Sequence, residues 1–213
     1  MPTPTTGPLP SWRDGAARKS IIDFVNRVTK QGGIDFVNRD DPIAVFDNDG
    51  TLWCEKPLPI QVDFLIRRIG EQAAEDELLQ EKQPWKAVFN KDYKWLSDVI
   101  TKHYNGDDSD LKIMSDGLLK AYSGENIDSY ADKASDFLHL SQNPGLKRPY
   151  LSTAYEPMVE LLHYLKANGF TNYLASGGSQ DFISTIAQNL YGIPAEGVIG
   201  SSVSLEYRVE KGI

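Results

Sequence analysis

The chain has 213 residues, 40% apolar and 24% charged, and 30 acidic against 22 basic side chains give a formal charge of −8. This is the composition of a globular protein with a core, and the length holds one large domain or a domain with an insertion. Surplus acid excludes a sequence-independent nucleic-acid binder, so any anion must be handled locally by a metal ion or by backbone N–H groups, and a single cysteine, Cys54, excludes an intramolecular disulfide and a multi-cysteine zinc site.

No stretch approaches the roughly 20 apolar residues of a membrane span, and the opening Met1-Pro-Thr-Pro-Thr-Thr-Gly-Pro-Leu-Pro10 lacks the features of a signal peptide. A cytoplasmic protein without a membrane partner is expected; the Thr/Pro-rich opening also fits the trimmed N-terminus of an exported protein with an added Met. Ala17, Ile21, Phe24, Val25 and Val28 recur at helical spacing from about Asp14 to Lys30, with Gly32-Gly33 as the stop. Asp41-Pro42 then punctuates the chain before Ile43-Ala44-Val45-Phe46, an apolar β-prone run that reads as a buried strand. From Pro57 to about Asn143 the helical period dominates, with Ile60, Phe64, Leu65 and Ile69 on one stripe and Trp85, Val88, Phe89, Leu96 and Ile100 on another. Breaks at Gly70, Pro84, Asn105-Gly106 and Ser123-Gly124 divide this insertion into four or five helices.

Glu156-Pro157 opens a helix carrying Met158, Leu161, Leu162 and Leu165, and Asn168-Gly169 closes it before the strand-like run Phe170 to Ala175. Ser176-Gly177-Gly178-Ser179 is expected to turn that strand into a helix ending near Leu190. A last short strand, Gly197-Val-Ile-Gly200, leads into Ser202 to Val209, whose alternation predicts a β-ribbon. The order predicts an α/β fold, a Rossmann-like parallel sheet with an α-helical insertion and with ligands at the carboxyl ends of its strands.

Two loops sit at such ends. Asp47-Asn48-Asp49-Gly50-Thr51 sets two carboxylates two positions apart where Gly50 permits a tight turn. The pair suits a hard divalent cation and a division of labour between nucleophile and general acid/base, although these are also ordinary turn residues. A calcium loop is excluded, because Gly50 at its sixth position puts Val45 at the first and Lys56 at the twelfth. The second loop, Leu174-Ala175-Ser176-Gly177-Gly178, offers a hydroxyl and backbone N–H groups at a helix start, an anion cradle. Two other readings of it stay open: helix capping by Ser176 and Ser179, and a serine acyl hydrolase using Ser176, although that motif needs Gly where this chain has Leu174.

Together the loops resemble those of the haloacid dehalogenase (HAD) superfamily of phosphohydrolases. Val45-Phe46-Asp47-Asn48-Asp49-Gly50-Thr51-Leu52 matches its first motif, an apolar strand followed by Asp-x-Asp-Gly-Thr, at every position. Leu174 to Gly178 is similar to the second, in the form of the phosphoserine-phosphatase-like branch, and the helical insertion is similar to that branch's cap. The resemblance spans about Ile43 to Ser202 and implies a core of residues 1–54 and 150–213 with a cap of residues 55–149. It implies a hydrolase of small phosphomonoesters in which Asp47 attacks phosphorus and becomes an aspartyl-phosphate. Asp49 protonates the leaving alcohol and then activates water, Mg²⁺ sits on the Asp47 carboxylate and the Asp49 backbone carbonyl, and Ser176 and the Gly177 N–H hold phosphoryl oxygens. Asp at position 49 favours phosphatase over dehalogenase chemistry, because an alkoxide leaving group needs a proton and a halide does not. Glu55 and the aromatics Trp53, Trp85 and Trp95 are candidates for the substrate pocket.

The family also carries a Lys and an acidic pair, often Gly-Asp followed by Asp, after the second motif. No Asp follows Asp181, and Glu196, Glu206 and Glu210 are not preceded by Gly-Asp. The candidate Lys is Lys211, two residues from the end and after the predicted ribbon rather than at a helix start. Asn105-Gly106-Asp107-Asp108-Ser109-Asp110 reads as a solvated loop. With three parallel strands legible where the family has five or more, the sequence reads as a hydrolase lacking its last one or two β-α units. A catalytically impaired fold that binds phosphate or a partner is the second reading. His103, His139 and His163 show no metal spacing, and Cys54 is expected to be buried.

Overall fold

The computed structural model describes residues 7–38, 42–122 and 127–202; Asp41, Ser123-Gly124, the ribbon residues 203–209, Glu210 and Lys211 lie outside them. The chain divides into two compact units, Met1–Cys54 with Gln142–Ile213, and Glu55–Ser141.

The first unit is α/β. Strands β1 (Ile43–Phe46), β2 (Thr171–Ser179) and β3 (Val198–Ser201) form a parallel sheet in the order β1-β2-β3. The register runs Ile43↔Thr171 to Phe46↔Leu174, then Leu174↔Val198 and Ala175↔Ile199. Paired residues share a face and side chains alternate along each strand, so Ala44, Phe46, Asn172, Leu174 and Val198 point to one side. That side is the core: Leu174 is fully buried, and the Asn172 amide nitrogen donates to the Leu162 carbonyl at 2.8 Å. Helices α1 (Ala16–Thr29) and α7 (Glu156–Ala167) bring Val25, Val28, Leu161 and Leu165 into a cluster with Leu9 and Phe170, and Ala44 and Phe46 pack on it. Pro157 pre-sets the first turn of α7, and Gly169 at φ +88° ends the segment.

The opposite face of the sheet corrects the expectation of a buried β1. Ile43, Val45 and Ile199 are 58%, 59% and 57% exposed. Parallel sheets are ordinarily covered on both faces, which is why the apolar run reads as buried; among the described residues β1 lies at the edge of the sheet and its odd-numbered side chains are exposed. A second correction concerns Ser176 to Ser179, which remain in β2 rather than forming a turn. Ala175 pairs with Ile199 and Ser179 with Ser201, so Ser176-Gly177-Gly178 oppose Gly200 alone in a bulge. Gly200 allows the close approach, since a Cβ there would lie 2.6 Å from the Gln180 nitrogen and 2.8 Å from the Gly178 oxygen. Helix α8 (Gln180–Ile186) follows at once and continues as a π-helical turn, Ala187–Tyr191.

The second unit shows five helices and no strand among its described residues: α2 (Ile60–Glu75), α3 (Trp85–Phe89), α4 (Tyr93–Tyr104), α5 (Ser109–Ala121) and α6 (Ile127–Leu140). Phe64 of α2 meets Tyr130 edge-on at 5.6 Å and Phe137 at 5.2 Å between ring centroids. Residues 142–149, which the sequence assigns to the insertion, group with the first unit and close a turn in which the Asn143 side chain accepts from Gly145 N and Leu146 N, each at 2.9 Å. No helix among the described residues is long and apolar enough to cross a membrane.

Candidate active site

Strand β1 delivers the chain to Asp47, exposed at its carboxyl end, and the residues after it fold back in a tight loop. The Asn48 carbonyl accepts from Thr51 N at 3.1 Å, Leu52 N at 2.8 Å and Trp53 N at 3.3 Å, while Gly50 N donates to the Trp53 carbonyl at 2.9 Å. This needs a left-handed residue at position 50, and Gly50 sits at φ +75°. The Thr51 hydroxyl lies 3.4 Å from Asp47 Oδ2, and the Trp53 indole N–H donates to Asp49 Oδ1 at 2.6 Å. Asn48, 1% exposed, anchors the loop from inside, its Oδ1 accepting from the Tyr191 hydroxyl at 3.1 Å. Burial, and after it the charge of Asp49, raises the Tyr191 pKa, so the hydroxyl stays protonated.

The stem of the loop is clamped by the returning chain. Cys54 N donates to the Thr153 carbonyl at 3.1 Å and Tyr155 N to the Leu52 carbonyl at 2.8 Å, with an antiparallel bridge between Trp53 and Ala154.

The second loop lies at the same end of the sheet, because Phe46 pairs with Leu174 and both strands run the same way. Asp47 therefore emerges beside Ala175, with Ser176 next in the chain. Ser176 Oγ accepts from Gly178 N at 3.1 Å, and Ser201 Oγ donates to the Gly177 carbonyl at 2.9 Å. Apart from its two chain neighbours, no described residue comes within 4 Å of the place a Gly177 Cβ would take, so the loop leaves open space there. Ser179, not Ser176, caps α8, accepting from Phe182 N at 3.4 Å. A side-chain hydroxyl and an unobstructed glycine beside two carboxylates can hold an anion while one carboxylate attacks and the other moves a proton. The oxygens of Asp47 and the Asp49 carbonyl suit a hard cation in kind; among the described residues no group of three or more His, Cys, Asp or Glu gathers to complete a metal site.

The remaining candidates are placed as follows. Trp53, expected at a substrate pocket, is 1% exposed and turned to Asp49. Glu55 is half-buried and pairs with Lys56 at 3.4 Å, Trp85 is buried and donates to Gln72 at 2.9 Å, and Lys211 lies outside the described residues. Cys54 is half-buried rather than buried. The acidic loop of the second unit is occupied locally: hydrogen bonds from the Ser109 hydroxyl first and the Ser109 N–H second hold the Asp107 carboxyl below the usual range, while Asp108 meets His103 at 2.7 Å and Asp110 meets Lys102 at 2.6 Å. Tyr191 escaped the sequence reading because nothing local links it to Asn48, 143 residues earlier.

The family model described as haloacid dehalogenase-like hydrolase (HAD) matches residues 44–212, which include both loops. No curated protein matches the chain.

Proposed function

The chain belongs to the haloacid dehalogenase-like hydrolase family, and on that premise we propose that it hydrolyses small phosphomonoesters through Asp47. The observation that carries this reading is the division between two carboxylates of one loop. Asp47 is exposed at the strand end, whereas Asp49 is half-buried and held by an indole N–H. Asp47 attacks phosphorus in line, the bond from phosphorus to the ester oxygen breaks, and Asp49 gives that oxygen its proton. Asp49 then takes a proton from the water that attacks the aspartyl-phosphate, releasing inorganic phosphate and restoring Asp47. Ser176 Oγ–H and the Gly177 N–H hold phosphoryl oxygens in the space beside Gly177, where donors aimed at developing charge act most strongly.

The Asp47 carboxylate and the Asp49 backbone carbonyl would hold Mg²⁺, which when bound neutralises the repulsion between a carboxylate and a phosphate. The helical unit, Glu55–Ser141, serves as the cap that selects the ester. The charge of −8 supports a small-molecule partner rather than a nucleic acid.

The test is p-nitrophenyl phosphate turnover with Mg²⁺ in the wild-type chain and in Asp47→Asn. Turnover in the first and the buffer rate in the second are expected; equal rates in both sink the reading. Hydrolysis of p-nitrophenyl acetate that survives both EDTA and Asp47→Asn would point to Ser176 as an acyl-transfer nucleophile instead.

A further inference from the structure

Trp53 is joined to the loop that carries Asp49 at every level. Its carbonyl accepts from Gly50 N at 2.9 Å and its N–H donates to the Asn48 carbonyl at 3.3 Å, so its backbone is clipped to the turn that presents Asp49. On its other side the bridge to Ala154, flanked by the Cys54–Thr153 and Tyr155–Leu52 hydrogen bonds, prevents the segment from peeling away. The side chain is 1% exposed and the indole N–H meets Asp49 Oδ1 at 2.6 Å. A short bond from a neutral donor to a carboxylate, delivered by a ring locked in packing, fixes a rotamer far better than a surface side chain could.

We infer that Trp53 is a positioning residue for the acid/base step: its indole N–H engages Asp49 Oδ1 and orients the carboxyl group that moves the proton. The inference rests on the phosphomonoesterase reading above. An indole N–H is a donor only, so it makes the two carboxylate oxygens inequivalent, and the effect falls on the step in which the leaving oxygen takes its proton. Without it the carboxyl group loses the donor that orients Oδ1, and the proton is directed less well to the ester oxygen. The penalty falls on substrates that need a proton to leave, because an alkoxide requires the acid and a nitrophenolate departs largely without it.

The experiment compares wild-type chain with Trp53→Phe, which keeps an apolar ring and deletes the N–H, on p-nitrophenyl phosphate and on β-glycerophosphate with Mg²⁺. The expected result is a fall in kcat of about 10- to 100-fold for β-glycerophosphate, a part of the full acid/base contribution, with KM within about twofold and a fall several times smaller for p-nitrophenyl phosphate. In the Asp49→Asn background Trp53→Phe should add no further discrimination between the two esters. Equal falls for both esters, or added discrimination without the Asp49 carboxylate, overturn the inference. The contact is read separately by the indole N–H proton resonances. The signal lost in Trp53→Phe should lie downfield of those of Trp12 and Trp85, whose N–H groups meet neutral oxygens at 2.8 and 2.9 Å, and should move upfield in Asp49→Asn. An unshifted resonance overturns the positioning role while leaving the phosphatase reading intact, and a wild-type chain without turnover overturns that reading and the inference with it.

Discussion

Replacing Tyr191 by Phe removes one hydroxyl from the interior, and its effect should change sign with pH. Tyr191 and Asn48 are each 1% exposed, and the hydroxyl donates to Asn48 Oδ1 at 3.1 Å. Among the described residues Asn48 Nδ2 has no hydrogen-bond partner, so the variant takes from the amide the side-chain hydrogen bond made at Oδ1. A buried acceptor left unpaired costs about 1 to 3 kcal/mol. Near neutral pH the variant should therefore lose about 2 kcal/mol, or about 4 to 8 °C in Tm for a chain of this size. The alkaline side runs the other way. Burial first and the Asp49 charge second raise the Tyr191 pKa above its unfolded value near 10. The folded state keeps the proton that the unfolded chain releases, so the stability tied to Tyr191 is complete below pH 10 and declines above it by about 1.4 kcal/mol per pH unit. The wild-type advantage should vanish about one and a half units above pH 10. Urea unfolding of both proteins from pH 7 to 11.5 gives the difference directly. Curves that stay parallel above pH 10, or that coincide at pH 7, refute the reasoning.

Gly117→Ala, which in an exposed helix would stabilise by about 1 kcal/mol, should instead lower Tm by several degrees, because the new Cβ would lie 2.2 Å from Pro84 Cγ in a packed site and overpacking costs about 1 to 3 kcal/mol. Thermal unfolding followed by circular dichroism checks the sign, and an increase in Tm would contradict the packing. Val45→Thr should change stability by less than about 1 kcal/mol, whereas Leu174→Ala should cost about 2 to 5 kcal/mol, since Val45 is 59% exposed and Leu174 fully buried. Urea midpoints decide between this and a β1 buried on both faces. EDTA should abolish phosphomonoester turnover and Mg²⁺ restore it, measured on p-nitrophenyl phosphate; turnover that survives chelation would remove the metal from the proposal.

Much of the fold was legible because its signals are local. The stripe of Ile21, Val25 and Val28 predicts α1, and Pro157 and Gly169 bracket α7 closely. What escaped was set by partners distant in sequence. The apolar run of β1 says that the residues suit a sheet; whether helices cover both faces is decided by the rest of the chain, and among the described residues Val45 and Ile199 remain open. Ser176 to Ser179 carry every local mark of a turn, yet Ser179 finds Ser201 across the sheet and the strand resumes after a bulge. The side chain that permits it is the one missing from Gly200.

The site follows the same division. Asp47, Asp49 and Gly50 were legible because a tight left-handed turn after an apolar strand allows few residue types, and the chemistry of paired carboxylates is confined to them. For Trp53 the sequence leaves a pocket wall and core packing equally open, since an aromatic two residues past the motif suits either. The turn itself resolves this. Gly50 N binds the Trp53 carbonyl and Trp53 N binds the Asn48 carbonyl, which reverses the chain and carries the indole back over Asp49. A spacing of four residues, unremarkable in an extended segment, thus becomes a direct contact. The glycine that makes the turn possible is also what brings the indole donor within reach of the carboxylate, so Gly50→Ala should weaken the Trp53–Asp49 contact along with the loop and reproduce the ester discrimination expected of Trp53→Phe.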